Sequence, residues 1–371
     1  ARREKGGPEI DPGGGGDRTF RTSCEIDPRD LSLRDRFDRT VELHRRARAV
    51  DPTAVNCRAN YTERTGEELF VNRAKTWTQD VLRVRGRVSF YASDGDRTVA
   101  DWRTRAGTGG LERVTISEDE LRETAANARA LLHADRIRPG SYEVVADPDV
   151  TGTLAHESFG HGVELDMFVK DRARAEQFVN RRVGSELVNI LDDPSLPGAY
   201  GSYFFDHEGQ PAAPTHIVKD GVFLRGISDL MSASRLNVAR SANGRRQDFR
   251  RKAYARMSNT FFGAGESTLE ELIAGVSRGV LLQKFTHGME DPKGWGITVG
   301  SHIGREIVSG KLTGKLFSPV TITGYVPDVL GSVTGVGNDF ATTSGSCGKG
   351  HKESVPVASG GPHLRFTARL T

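Results

Sequence analysis

Two imidazoles and a carboxylate fall within six residues at His156-Glu157-Ser158-Phe159-Gly160-His161, and that segment limits what the surrounding chain can become. Histidines five positions apart diverge by about 140° on an ideal helix. They converge on one centre only if the helix widens locally or ends between them. Gly160, just before His161, is where such a departure costs least. Upstream, residues 141–146 read as a short strand, and Asp147-Pro148-Asp149 as a turn that offers Asp149 as N-cap for a helix over 151–161. An HExxxH pattern arises by chance in roughly one or two of every hundred chains of this length, so its setting carries weight. Here it lies on a capped helix after a strand, and a glutamate beside a histidine is costly to bury unless paired or liganded.

A catalytic zinc site takes three protein ligands and keeps one position open. The motif supplies His156 and His161, and Glu157 is placed to act as base. For the third ligand the residues leave alternatives standing level. Glu164 and Asp166 follow closely in Gly162-Val163-Glu164-Leu165-Asp166. Cys347 lies far along the chain in Ser344-Gly345-Ser346-Cys347-Gly348-Lys349-Gly350, where glycines allow close backbone approach and a lysine favours thiolate. Cys24 and Cys57 read as ordinary residues of a linker region and a strand.

The 371 residues are enough for two to three domain-sized units. The periodicities predict an α+β fold: a flexible linker or arm over 1–27, a mixed N-terminal α/β region over 28–185 ending with the metal-binding helix, and a β-rich C-terminal domain over 186–371 that supplies the third ligand. A helix is expected over 31–50 with Leu33, Phe37, Val41 and Ala47 on one stripe. Strands are expected over 54–61, 68–72 and 81–92. Ser117 with Glu120 forms a capping box ahead of a helix whose stripe is Leu121, Ala125, Ala128 and Leu132. Further on, 216–218, 222–227 and 320–325 read as strands, and Ser267 with Glu270 caps a helix with core positions Leu269, Leu272, Ile273, Val276 and Val280.

A net charge of +3 is too small to argue for a nucleic-acid or membrane-surface partner. Three cysteines do not make a disulfide framework and point to a reducing, cytoplasmic setting. No apolar run reaches the roughly 18 residues of a membrane span. The chain opens on Ala1-Arg2-Arg3 without an initiator Met and reads as the interior of something longer.

The segment His156 to Asp166 resembles the HExxGHGxExD stretch of the TldD/PmbA metallopeptidases, specifically the catalytic TldD branch. Further matches follow in order: Asp192-Asp193-Pro194 with Gly201-Ser202, Asp206-His207-Glu208-Gly209, Leu236-Asn237-Val238-Ala239-Arg240, Asn243-Gly244-Arg245-Arg246, Arg256-Met257-Ser258-Asn259-Thr260, Gly265-Glu266-Ser267-Thr268, Val336-Gly337-Asn338-Asp339 and Cys347-Gly348-Lys349. The similarity is good from about residue 140 onward and loose before it. The resemblance implies a zinc peptidase in which His156, His161 and Cys347 hold Zn2+ and Glu157 is the general base. Glu164 and Asp166 then orient a ligand imidazole or serve the structure. It also implies hydrolysis of unfolded or modified peptides, by a dimer with itself or with a metal-free paralogue. A non-catalytic peptide-binding or scaffold subunit is the alternative, against which both histidines, Glu157 and Cys347 argue.

Departures from the family pattern occur at Thr286-His287-Gly288-Met289-Glu290-Asp291-Pro292, where relatives are richer in glycine, and at Gly350-His351. His287 and His351 are candidates for lining a substrate channel. Arg245 and Arg246 are candidates for a substrate carboxylate. The wider basic run, with Arg250-Arg251-Lys252, Tyr254 and Arg256, reads more simply as an ion-paired face.

Overall fold

Long alternations of polar and apolar side chains shape the N-terminal part of the protein. The computed structural model describes residues 15–350 and 353–371. Here β1 (Gly16–Arg21), α1 (Leu33–Val50), β2 (Asn56–Val71), β3 (Lys75–Ser93), β4 (Thr98–Thr108) and α2 (Glu118–Leu131) follow one another. β3 is the spine of a four-stranded sheet, antiparallel to β2 along nearly its whole length. On its other edge it pairs with β1 in parallel and then with β4 antiparallel. The three short strands expected over 54–92 are thus two long ones, because the polar residues between them sit on the exposed face of a continuous ladder.

Two further expectations change. The described part of the predicted arm is not all linker: Gly16–Arg21 joins the sheet, while its first 14 residues lie outside the described residues, as does His351. In α1 the capping box is Ser32 with Asp35, but Leu33 and Phe37 are 75% and 58% exposed. Only the far end of the helix, through Leu43, Ala47 and Val50, reaches the core that β2, β3 and α2 share.

The chain then runs through β5 (Gly140–Ala146), α3 (Pro148–Phe159), α4 (Leu165–Phe168), β6 (Ile190–Asp192), β7 (Thr215–Lys219), β8 (Val222–Phe223), α5 (Leu230–Leu236), β9 (Gly244–Arg245), β10 (Tyr254–Ala255), β11 (Asn259–Phe262) and α6 (Leu269–Ala274). It ends with β12 (Arg278–Asp291), β13 (Gly296–Val308), β14 (Lys311–Phe317), β15 (Val320–Tyr325), α7 (Val326–Gly331), β16 (Gly335–Val336), β17 (Ala341–Lys349), β18 (Glu353–Gly361) and β19 (Leu364–Leu370). Two sheets organise these elements. One is ordered β17-β18-β11-β6-β7-β8. In the other, β12-β5-β19-β15-β13 closes on itself because β12 also pairs with β13. The expected α+β architecture with a β-rich C-terminal part is what the protein has. The strand expected over 222–227 stops at Phe223, and α6 is capped one residue later than expected, by Thr268 with Glu271. Val276 and Val280 lie beyond that helix, in the turn and in β12.

Between the two sheets lies α3, with every residue from Val150 to Phe159 buried. It begins earlier than the sequence suggested, because Asp147 rather than Asp149 is its N-cap, accepting from Val150 N at 2.9 Å. Asp147 also accepts from Lys284 N at 3.0 Å, and Asp149 from Phe285 N at 3.0 Å. The two carboxylates therefore hook the backbone of β12 where Lys284 adopts φ 61° and the strand bulges. Beyond that bulge β12 no longer follows β5, and residues 285–291 pair with β13 alone.

At Gly152 the helix meets β18 so closely that a Cβ would stand 2.7 Å from Gly360 Cα. The opposing group is backbone and has little room to retreat. Gly152→Ala is expected to destabilise the protein by about 1–3 kcal/mol, measured by urea unfolding. A change within about 0.5 kcal/mol, the ordinary scatter of neutral surface changes, would contradict this packing.

Candidate metal centre

The HExxxH segment solves its five-residue spacing by ending the helix. α3 stops at Phe159, Gly160 takes φ −97° and ψ −80° as C-cap, and His161 opens a short 3-10 turn. A Cβ at Gly160 would press on His156 O and stand 2.8 Å from Met257 Cγ, so the turn requires glycine. The two imidazoles meet edge to face, with centroids 5.2 Å apart. Cys347 reaches them from β17, its Sγ 3.2 Å from His161 Nε2. One donor atom from each of His156, His161 and Cys347 lies within 4.8 Å of the others.

Two imidazoles and a thiolate at this spacing fit a tetrahedral ion with Zn–N near 2.0–2.1 Å and Zn–S near 2.3 Å, leaving a fourth position open. His156 Nδ1 is buried without a hydrogen-bond partner in the protein, so this imidazole keeps unused bonding capacity beside the cluster. The electrostatics agree. Burial opposes ionisation of Cys347, yet His161 and His156 outweigh it and bring the thiol well below its usual range. Burial likewise opposes charge on His161, but Cys347 and Glu164 raise it well above the usual value.

Glu164 and Asp166, which stood level with Cys347 in the sequence, do not join the donor cluster. Glu164 Oε2 lies 3.6 Å from His161 Nδ1, behind the ring, and 3.0 Å from Lys349 Nζ. Asp166 Oδ1 takes Lys349 Nζ at 2.6 Å. Burial works against the Glu164 carboxylate, but Lys349, His161 and Arg256 hold it down to about 2. Arg256, fully buried, donates to Cys347 O at 2.6 Å and Cys347 Sγ at 3.3 Å, with its Nε 3.6 Å from Glu164 Oε1. Glu164 thus faces the Nδ1 side of one imidazole, and Arg256 contacts the sulfur.

The donors line a cleft of about 520 Å³ that also takes in Glu157, His287 and Glu290. Glu157 rests against β12: a Cβ on Gly288 would stand 2.5 Å from its Oε1. His287 is exposed at the rim. Glu290 was not singled out by the sequence, being a lone glutamate in a strand without a partner at telling spacing. Its Oε1 is buried and unpaired, and burial together with Glu164 and Glu157, against the pull of His161, pushes its pKa up to about 8.

Arg245 and Arg246 are not in this cleft. Arg245 is buried and donates to Met257 O and, at 2.8 Å, to Pro356 O. With Arg246 it lines a different pocket. The basic run is split further: Arg250 pairs with Asp248 at the surface, whereas Arg256 is internal.

Several of the other motifs turn out to brace this region. Asp192, fully buried, accepts from Ser258 N at 2.9 Å, Ser258 Oγ at 2.5 Å, Thr260 Oγ1 at 2.8 Å and Asn243 Nδ2 at 2.7 Å. Asn259 ties Gly201 N, Asp193 O and Ser202 Oγ together. These contacts anchor the segment between β10 and β11, which carries Arg256, to the sheet that carries Cys347.

Comparison with known proteins agrees with this arrangement. Residues 139–369 match the family model for the PmbA/TldA metallopeptidase C-terminal domain. A protein of Methanothermobacter thermautotrophicus named metalloprotease is 32% identical over 343 residues, covering 91% of this chain and 74% of its own. A metalloprotease TldD homolog of Haemophilus influenzae is 29% identical over 274 residues, 73% of this chain and 56% of its own. Among solved structures, one from Thermotoga maritima superposes with a TM-score of 0.77 at 19% identity, covering 94% of this chain and 77% of that one. TldE from Thermococcus kodakarensis gives 0.68 at 16% identity, with 94% and 75% covered. The ordered motifs, the matched domain and the shared fold make this chain a member of the PmbA/TldD metallopeptidase family.

Proposed function

We propose that the protein is a zinc-dependent peptidase of the catalytic TldD kind, acting on unfolded or modified peptides. The observation that carries this reading is the convergence of His156, His161 and Cys347 in one cleft with Glu157 beside them. When bound, zinc supplies Lewis acidity, polarising a peptide carbonyl and acidifying water. His156, His161 and Cys347 hold the ion, and Glu164 keeps the His161 ring turned toward it. Glu157 accepts the proton of the attacking water and delivers it to the leaving amine. The edge of β12 beyond its bulge and the outer edge of β17 flank the cleft. Such edges suit an extended, unfolded peptide, which offers backbone groups to pair with. His287 at the rim is placed to touch its side chains.

Cys24, Cys57 and Cys347 are free thiols, which suits a reducing compartment such as the cytoplasm. Among the described residues no helix is long and apolar enough to cross a membrane. Pairing with a second copy or with a metal-free paralogue belongs to the same proposal.

The test is metal analysis of the purified protein followed by mass spectrometry of an unstructured peptide mixture incubated with it. One zinc per chain and new peptide termini are expected, both lost on prolonged treatment with a strong chelator. Glu157→Gln should keep the metal and lose about 10²–10⁴-fold in cleavage rate; undiminished cleavage would exclude the mechanism. Gly288→Ala should also keep the metal but slow cleavage, since the added methyl displaces the Glu157 carboxylate. Equal turnover would show that this position of Glu157 is not the working one. Lys349→Met, which removes the ammonium that Glu164 and Asp166 share, should weaken zinc binding about 10–100-fold in a competition titration with a chromogenic chelator. Unchanged affinity would remove Glu164 from the account.

A further inference from the structure

Four arginines gather around a second pocket, of about 100 Å³, lying between β2, β3 and the segment after β9. They are Arg64, Arg83, Arg245 and Arg246, and the pocket shares no lining residue with the metal cleft. Arg64 and Arg83 stand directly opposite each other across the β2–β3 ladder, an arrangement in which like charges destabilise a sheet. Arg83 is 8% exposed and donates only to carbonyls, Tyr200 O at 2.8 Å and Ser202 O at 2.7 Å. Arg245, 3% exposed, faces it, and its Nε is buried with no partner. The guanidinium groups of Arg64 and Arg246 have no hydrogen bond or ion pair among the described residues.

Two acids, Glu68 and Asp206, also line the pocket, with carboxylates already engaged by other donors. Glu68 engages His207 at 3.2 Å and Gln79 at 2.7 Å. Asp206 accepts from Glu208 N, Gln210 N and Gly244 N at 2.8–2.9 Å. Burial and the facing Arg245, opposed by Glu68, push the Arg83 guanidinium down to about 10. Packing cations against one another in a buried pocket costs stability unless an anion completes the set.

We propose that this pocket is an oxyanion site, distinct from the metal centre, whose arginine forks take a phosphate or a carboxylate. The guanidinium geometry is suited to two-point contact with either group. The space suits one such group with a few waters. The ligand is therefore free inorganic phosphate or a carboxylate at the end of a short peptide. Nothing in this inference depends on the peptidase reading.

Isothermal titration of the full chain as purified, with inorganic phosphate, with N-acetylalanine and with N-acetylalaninamide, tests it. Saturable one-site binding at about millimolar dissociation constant or tighter is expected for phosphate or for the acid. It should weaken at least about tenfold in the Arg64→Gln/Arg246→Gln double variant, because each lost fork removes a charge-assisted contact. Both positions lie on the exposed side of the pocket, so circular dichroism should report an unchanged fold, whereas Arg83→Gln risks the sheet. Phosphate alone binding identifies a free oxyanion, and the acid binding in preference to the amide identifies a peptide end. Absence of binding by both anions overturns the proposal. So does binding that the double variant retains in full, which would place the anion at the metal.

Discussion

The buried helix α3 is the interaction on which the rest of the structure depends. It is held on both sides, by the closed sheet that includes β5 and β12 and by the sheet that includes β11, β17 and β18. Its glycine at 152 lets β18 approach to backbone contact. Its N-terminal carboxylates, Asp147 and Asp149, pin the bulge in β12. Because α3 is wholly buried, its C-terminal end has one place to go, and that place is the foot of β17. His161 and Cys347, 186 residues apart in the chain, meet there. A metal at this point would join the two sheets through their shared helix.

Burial at this density leaves little polar slack, and the protein answers it with a connected ionic group rather than isolated charges. Lys349 spans Glu164 and Asp166, and Arg256 reaches both Glu164 and the Cys347 sulfur. Breaking one member strands its partners in a medium of low polarity, which is why such groups are costly to disturb even where they add little net stability. The lysine and arginine thus touch the donor set through Glu164, which faces the His161 ring, and through the Cys347 sulfur.

How much of this was legible in the sequence varied with the range of the interaction. Local chemistry read well: the capping box at Ser117 and Glu120 is present, and the break at Gly160 follows from its spacing to two histidines. The cap at Asp147 was misjudged as Asp149 because both carboxylates fit a turn; the second instead serves β12, a partner more than a hundred residues away. Leu33 and Phe37 carried a core-like period, yet among the described residues only the far end of α1 reaches the core. β2 looked like two strands and β3 like a shorter one because polar residues interrupt their apolar alternation. The choice among Cys347, Glu164 and Asp166 could not be made from spacing, since it turns on which strand comes to the end of α3. Glu290 carried no signal at all, and Arg245 sits in a pocket that five separated segments line.

The central claim is that two imidazoles from one helix end and one sulfur from a distant strand bind a single zinc. X-ray absorption at the zinc edge of the metal-loaded protein reads that set directly. The account predicts one sulfur at about 2.3 Å with nitrogen and oxygen neighbours at about 2.0–2.1 Å in a four-coordinate shell, with the sulfur contribution absent in Cys347→Ser. A shell of nitrogen and oxygen alone in the unaltered protein would contradict it and return the third position to a carboxylate.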